Sequence, residues 1–111
     1  DMSDARDMRI LALWRDDPRE APMTIDARIE DMRIASTWEL FGAFALDGDS
    51  IRPFILRRDG RIDFGRGESW RTDLREATIK IGSDFVVWFN ESDSGVYRIV
   101  KIAALGAKDD K

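Results

Sequence analysis

The chain contains no cysteine and no histidine among its 111 residues. Without cysteine there is no disulfide framework, no thiolate nucleophile and no cysteine-ligated zinc or iron–sulfur cluster. Without histidine there is no Ser-His-Asp triad and no imidazole base that works near neutral pH. What remains is carboxylate, lysine or tyrosine chemistry and cation sites built from oxygen ligands. These absences favour a protein that is not an enzyme and that needs no metal or cofactor.

Long hydrophobic runs are also missing. No apolar stretch approaches the roughly 20 residues that span a bilayer, and no basic segment followed by an apolar one suggests a secretion signal. We therefore expect no membrane association and a cytoplasmic location. The length fits one domain over residues 1–111, and we expect residues 1–3 and 106–111 to be frayed.

The net charge of −4 argues against general binding of nucleic acid by the whole surface. The charge is nevertheless uneven, because residues 52–76 contain seven arginines and five acids. That segment carries +2, so the rest of the chain carries −6. The sequence thus predicts an anion-facing patch on an otherwise acidic protein.

Two similar segments stand near the N-terminus, "DARDMRI" at 4–10 and "DARIEDMRI" at 26–34. After the first, "RDDPREAP" interrupts the apolar pattern, and the sequences that follow the two copies diverge. Repeat architectures need several units that share a core, so we do not predict a structural repeat.

Each of these segments has a pattern that favours a helix. In the first, Ser3 or Asp4 can act as N-cap, and the apolar positions then fall on one helical face for about three turns. In residues 24–36 the spacing again favours a helix, but Ile25, Ala27 and Ile29 also alternate as in a strand whose phase slips at Asp31. Residues 24–36 are therefore open between helix and strand, with helix preferred.

From Trp38 onward the period changes to two, and turn signals recur about every ten residues. "LFGAFA" is a nearly continuous apolar run, which is typical of a strand buried on both faces. "FVVWFN" and "VYRIVKI" should pair across the short "ESDSG" turn. The predicted fold is α+β, a strongly bent antiparallel meander of five to seven strands with one or two N-terminal helices. Closure of the meander into a small barrel is left open.

The aromatic and basic side chains of residues 52–76 are the first candidates for a binding site. Trp70 lies among glycines and charges without apolar neighbours, so we expect it to be exposed, whereas Trp38 and Trp88 are expected in or near the core. The arginines taken as binding candidates with Trp70 are Arg57, Arg58, Arg61 and Arg66. Carboxylate pairs such as Asp47/Asp49 and Asp59/Asp63 occur in glycine-containing turns, where aspartate commonly bonds to the local backbone.

Two short motifs resemble those of PilZ domains. "RRDGR" contains an Arg-x-x-x-Arg at Arg57 and Arg61, and "NESDSG" contains Asn90, Ser92 and Gly95 in the order of that family's second signature. The resemblance implies a small β-barrel that binds cyclic di-GMP, with the arginines on phosphates and guanines and with Asn90 and Ser92 supporting the nucleotide. In that family most strands follow the second motif, whereas only 16 residues follow Gly95 here. The competing interpretation is two solvated hairpin turns.

The favoured functional expectation is a small, non-enzymatic interaction or regulatory module that binds a protein partner. The alternative is a small-ligand binder that holds an anionic nucleotide at the arginines or an apolar molecule inside a closed barrel. A carboxylate-based enzyme ranks last.

Overall fold

Nine β-strands make up nearly all of the regular structure, in a computed structural model that describes residues 5–46 and 50–105. The strands are β1 (Arg6–Trp14), β2 (Met23–Glu30), β3 (Arg33–Ile34), β4 (Leu40–Ala45), β5 (Ile51–Leu56), β6 (Arg61–Gly65), β7 (Glu68–Thr72), β8 (Asp84–Trp88) and β9 (Ser94–Ala104). Within the described residues the other element is a 3-10 turn at Leu74–Glu76. The expected frayed ends and the Asp47/Asp49 pair lie outside the described residues.

The sheet closes on itself. Hydrogen bonding runs in the order β1-β9-β8-β7-β6-β5-β4-β2, and β1 also pairs with β2, so eight antiparallel strands form a barrel. The ninth strand, β3, pairs only with the end of β2. The meander therefore closes into a barrel, a point that the sequence left open. The expected pairing of "FVVWFN" with "VYRIVKI" is confirmed by the β8–β9 ladder.

The α+β prediction is wrong, because no α-helix occurs in residues 5–46 or 50–105. In β1 the buried residues are Ile10 and Ala12, which alternate as a strand requires. Leu11 and Leu13 lie on the other face and are only partly exposed, so apolar residues occur on both faces and imitate a helical stripe. Ladders to β2 and β9 supply hydrogen bonds for both edges of this segment. These pairings outweigh local helix propensity.

The second expected helix is also wrong, for a different reason. Met23, Ile25 and Ala27 point into the barrel as part of β2, and the chain then reverses through Asp31 and Met32, whose φ angles are 54° and 61°. Two successive positive φ values are the conformation of a tight type I′ hairpin turn. The phase slip at Asp31 is this turn, in which Asp31 is a usual first central residue but Met32 replaces the usual glycine.

The similar N-terminal segments face one another across the β1–β2 ladder. Asp7 lies opposite Arg28 and Arg9 lies opposite Asp26, so an Asp-x-Arg pattern pairs antiparallel with a second Asp-x-Arg. Both pairs form ion pairs on the outer surface, at 3.1 and 2.8 Å. The similarity therefore has a structural consequence, since the motif is complementary to itself.

The barrel interior is filled by side chains. Its buried residues include Phe44, Phe54, Phe85, Tyr97 and Leu56. One end, the closed end, is covered by the β7–β8 connection, where Leu74 and Ile79 are buried. Across this end the Arg75 guanidinium donates to four backbone carbonyls, those of Arg57, Ser36, Trp38 and Leu56. Burial lowers the pKa of Arg75 from its usual value. No helix in the described part of the chain is long and apolar enough to cross a membrane.

Candidate functional site

The other end of the barrel is lined by aromatic rings and is called the aromatic end. Trp14, Phe64, Trp70 and Phe89 are half-buried there and pack on the core. The Trp70 ring is 4.8 Å from that of Phe64 and 4.7 Å from that of Phe89, both edge to face. Such pairs add to the stability gained from burial alone. This end is therefore a packed aromatic layer and not an open mouth.

The expectation that Trp70 is exposed is wrong. Trp70 is a strand residue of β7 whose ring turns inward, onto Phe44 at 5.2 Å. The Arg52 guanidinium covers this layer, with its Cζ 3.8 Å from the centre of the Phe64 ring and its Nη2 2.7 Å from Glu68 Oε1. The opposite error concerns Trp38 and Trp88, which were expected in or near the core and are both exposed.

Access to Trp70 comes from the side of the barrel. β7 pairs with β8 only through Arg71 opposite Trp88 and Thr72 opposite Val87, so the residues of β7 before Arg71 have no partner in β8. The chain after Trp88 bends away into the β8–β9 loop. The result is an open cleft of about 450 Å³ between β7 and that loop. The cleft is lined by Arg61, Ser69, Trp70, Arg71, Trp88, Phe89, Asn90 and Glu91.

Two arginines lie side by side in the wall of this cleft. Arg61 of β6 is the cross-strand neighbour of Arg71 of β7, and Arg71 is in turn the neighbour of Trp88. Like charges directly opposite one another in a sheet are destabilising. Among the described residues no carboxylate forms an ion pair with either guanidinium, and Arg71 Nη1 donates instead to the Asp59 carbonyl at 3.0 Å. The Asp59 carboxylate attracts both guanidinium groups without forming an ion pair with either, and the exposed Trp88 indole lies next to Arg71.

Asn90 lines the cleft and Ser92 follows it in the β8–β9 loop outside the cleft lining, and their side chains hold that loop together. Asn90 Oδ1 accepts hydrogen bonds from the backbone N–H groups of Ser92 and Asp93 and from the Ser92 hydroxyl, at 2.8 to 3.1 Å. Asn90 Nδ2 donates to the Asp93 carboxylate at 3.0 Å. These bonds fix the shape of the loop that forms one wall of the cleft, and they leave Asn90 few polar groups free for a ligand.

Gly95 follows this loop and permits a close approach of Trp14. A Cβ at Gly95 would lie 2.7 Å from Trp14 Nε1, so only glycine lets the indole pack against β9. The Trp14 Nε1–H group is buried and has no hydrogen-bond partner among the described residues. The second motif of the PilZ resemblance thus has structural roles at each of its three matched positions.

The remaining candidate arginines lie elsewhere. Arg57 forms an ion pair with Asp63 at 2.9 Å on the outer surface, and Arg58 is 72% exposed in the β5–β6 turn. Arg66 occupies the tight β6–β7 turn with φ 56°. Of the seven residues proposed from sequence, the structure brings Arg61, Trp70 and Asn90 together in the cleft. Arg71 and Trp88 were missed, although both occupy the outward phase of their strands.

The acidic pair Asp59/Asp63 has local partners. The backbone N–H of Arg61 donates to the Asp59 carboxylate, which lowers the pKa of Asp59. The backbone N–H of Gly65 and the side-chain guanidinium of Arg57 donate to the Asp63 carboxylate, which lowers the pKa of Asp63. Lowered pKa values are contrary to what a general acid requires. Within the described ranges no three metal-ligating side chains cluster together.

Comparison with models of known protein families, with curated proteins and with solved structures finds no match for this chain. The similarity to PilZ domains stays a resemblance of two short motifs.

Proposed function

We propose that this chain is a non-enzymatic binding module whose cleft between β7 and the β8–β9 loop binds a planar organic anion, such as a nucleotide. One observation carries the proposal: Arg61 and Arg71 are adjacent in the cleft wall without an ion-pair partner among the described residues, and exposed Trp88 is next to them.

The chemistry of the wall matches two parts of such a ligand. Guanidinium groups donate paired hydrogen bonds to phosphate or carboxylate oxygens, and an anion between Arg61 and Arg71 would relieve their repulsion. The Trp88 indole offers a flat face for an aromatic ring. Glu91 gives the cleft a carboxylate acceptor, which suits a ring with N–H donors, such as a nucleobase.

The filled interior argues against the other form of ligand binding considered from the sequence. An apolar ligand inside the barrel would need the space that the rings of Phe44, Phe54 and Tyr97 occupy. A cavity of about 450 Å³ on the surface is within the usual range for small-molecule sites. The size therefore supports a ligand in the cleft.

The test is titration of the whole chain with adenosine monophosphate, guanosine monophosphate and inorganic phosphate, followed by calorimetry and tryptophan fluorescence. We expect at least one nucleotide to bind, more tightly than phosphate, and to quench part of the tryptophan emission. Arg71→Ala and Arg61→Ala should each weaken binding roughly 10- to 100-fold, as expected for the loss of a hydrogen bond between charged groups.

Arg58→Ala is the matched control, because it removes the same charge at an exposed site outside the cleft. Equal weakening by the control and the cleft variants would mean that only net charge matters, and the proposal would be wrong. Failure of both nucleotides to bind at millimolar concentration would also contradict it.

A further inference from the structure

The outer half of the β6–β7 hairpin is not paired with the strands on either side of it. Among the described residues, β5 bonds to β6 only up to the Ile55–Asp63 pair, and β8 bonds to β7 only up to the Arg71–Trp88 pair. By contrast, the β4–β5 ladder contains six residue pairs and the β1–β2 ladder contains seven. Residues 64–70, which lie beyond both short ladders, are called the flap.

Open space surrounds the flap. On one side is the cleft of the proposed function, and on the other a second cleft of about 400 Å³ lies between β5 and β6, where Pro53 and Gly65 line it. At the tip, Gly65, Arg66 and Gly67 have successive φ angles of 87°, 56° and 81°. A Cβ at either glycine would meet no described atom within 4 Å apart from its chain neighbours. The flap is therefore a projecting hairpin end whose backbone bonds stay within the hairpin.

Side chains hold the flap against the barrel. Its two aromatic rings, those of Phe64 and Trp70, turn inward onto the aromatic end. The Phe64 ring is 6.3 Å from that of Phe54, and the Trp70 ring is 4.7 Å from that of Phe89. The longer ladders of the barrel add backbone hydrogen bonds to such packing. Local opening is favoured where these bonds are few.

One side chain of β5 reaches over to the flap. Arg52 Nη2 is 2.7 Å from Glu68 Oε1. Arg52 Cζ is 3.8 Å from the centre of the Phe64 ring and 5.6 Å from that of the Trp70 ring. Arg52 is opposite Phe44 in the β4–β5 ladder, so it belongs to a firmly paired part of the barrel. Its guanidinium thus joins three residues of the flap to a strand with which the flap shares no described ladder.

We infer that the flap opens as a unit, hinged at the ends of the two short ladders, and that Arg52 is the latch that holds it closed. Opening lifts Phe64 and Trp70 away from the aromatic end, while the bonds between β6 and β7 stay intact. The latch combines an exposed ion pair with a cation–π contact, and each of these contributes little in water. Because the latch is weak, the open flap is populated as a minor state, on the order of 1%.

The flap also forms part of one wall of the cleft of the proposed function. Ser69 and Trp70 belong to the flap, whereas Phe89 and Asn90 belong to the loop on the other side. Opening therefore widens the cleft, and a ligand that contacts both walls favours the closed flap. This last step rests on the proposed function, whereas the flap and its latch do not.

Relaxation-dispersion NMR of the full chain without ligand tests the inference, because it detects minor states that exchange in microseconds to milliseconds. The backbone amides of residues 64–70 and the Trp70 indole N–H should show exchange with one shared rate and population. The Trp38 indole is the internal control, since Trp38 lies at the closed end, where its carbonyl accepts from Arg75. Its profile should be flat.

Three variants test the latch. Arg52→Ala removes the ion pair and the cation–π contact, so it should raise the open population roughly 3- to 10-fold. Glu68→Gln removes the ion pair alone and should raise the population less. Arg9→Ala is the matched control, because it removes an ion pair of similar length, 2.8 Å to Asp26, from the long β1–β2 ladder. It should leave the flap unchanged.

Salt separates the latch from a general loosening of the barrel. Sodium chloride at about 0.5 M screens exposed charges, so it should raise the open population of the wild type and have less effect on Arg52→Ala. Thermal melting of each variant should show a cooperative transition. If Arg52→Ala did not fold, Glu68→Gln and the salt series would decide whether the latch exists.

Flat profiles over residues 64–70 in the wild type and in the latch variants would overturn the inference. Exchange limited to residues 65–67, with a flat Trp70 indole, would assign the motion to the turn alone and would also overturn it. An open population that neither latch variant changes would disprove the role of Arg52. Adenosine or guanosine monophosphate should lower the open population. Failure of both to bind would contradict the proposed function alone, because the flap is measured without ligand.

Discussion

Tyr97 is the single tyrosine of the chain, and it ties the barrel to a loop. Its hydroxyl donates to the Ala21 carbonyl at 2.9 Å, which links β9 to the β1–β2 connection. Its ring stacks on Phe85 at 5.9 Å in the core. Burial raises the pKa of Tyr97 to about 12 from its usual value of 10.0.

The raised pKa makes a prediction for alkaline solution. A neutral phenol is favoured in the folded state, so its contribution to the free energy of unfolding is complete below pH 10.0 and is lost as the pH rises through about 12. Near-ultraviolet absorbance should show tyrosine ionisation with a midpoint near 12 in the folded protein and near 10.0 in denaturant. Equal midpoints in the two states would show that the hydroxyl is solvated.

The tryptophans illustrate why single residues were hard to place from the sequence. Trp70 has polar sequence neighbours, yet its ring contacts come from Phe44 of β4, Phe64 of β6 and Phe89 in the β8–β9 loop. Trp88 lies within an apolar stretch, but β8 alternates and its phase puts Phe85 and Val87 inside. The surroundings of a strand residue depend on the phase of the strand and on its neighbours across the sheet, and local composition reports neither.

At the scale of elements, the later strands could be predicted and the first two could not. β8 and β9 alternate clearly and are joined by a short turn, so their pairing follows from the sequence. β1 carries apolar residues on both faces, whereas β2 alternates between apolar inward and polar outward residues but ends in a turn that lacks the usual glycine. For β1 the deciding backbone hydrogen bonds come from β9, which is distant in sequence. For β2 they come from β4, which follows another turn.

The β2–β3 turn should be improved by one substitution. Met32 has φ 61°, a conformation that costs a non-glycine residue about 1 kcal/mol, and its side chain is exposed. Met32→Gly removes this cost, although greater freedom of the unfolded chain offsets part of the gain. We expect the free energy of unfolding to rise by roughly 0.5 to 1 kcal/mol in urea titrations.

Met32→Ala provides the control for this change. It shortens the same side chain and keeps the positive φ, so it should leave the stability within about 0.5 kcal/mol of wild type. If alanine stabilised the chain as much as glycine, the effect would come from the lost methionine side chain and not from the turn.

At the scale of the whole molecule, closure depends on the first and last strands. Met8 is opposite Ala104 and Trp14 is opposite Tyr97, so the seam joins residues more than 80 positions apart. No local sequence pattern predicts such a pairing, so the sequence predicted a bent meander and left its closure into a barrel undecided. The cleft was equally hidden, because it forms where the β7–β8 ladder ends after two residue pairs.

The absence of histidine and the placement of the aspartates together predict how the whole barrel responds to pH. No side chain has an ordinary pKa between about 5 and 8, so the free energy of unfolding should be nearly constant there. Below that range it should fall. Hydrogen bonding to Arg98, with Arg15 nearby, lowers the pKa of Asp84, and the backbone N–H groups already described lower those of Asp59 and Asp63.

The lowered pKa values of these carboxyls determine how the free energy of unfolding changes with pH. A carboxyl whose pKa is lower in the folded than in the unfolded state stabilises the fold above the unfolded pKa of about 4, and this stabilisation is lost as the pH falls through the folded value. Urea titrations at pH 7, 5, 4 and 3 should therefore show a constant midpoint down to about pH 5 and a decline below it. Asp84→Asn should lower the urea midpoint at pH 7, because Asp84 forms ion pairs with Arg15 and Arg98 and so links the segment after β1 to β8 and β9. The decline at low pH should also be shallower, because the variant lacks a carboxyl whose pKa is lowered in the folded state. Asp16→Asn is the control, because Asp16 is exposed and lies outside the described ion pairs, and this variant should reproduce the wild-type profile. An equally shallow decline in Asp16→Asn would mean that the acid sensitivity comes from net charge and not from the Asp84 contacts.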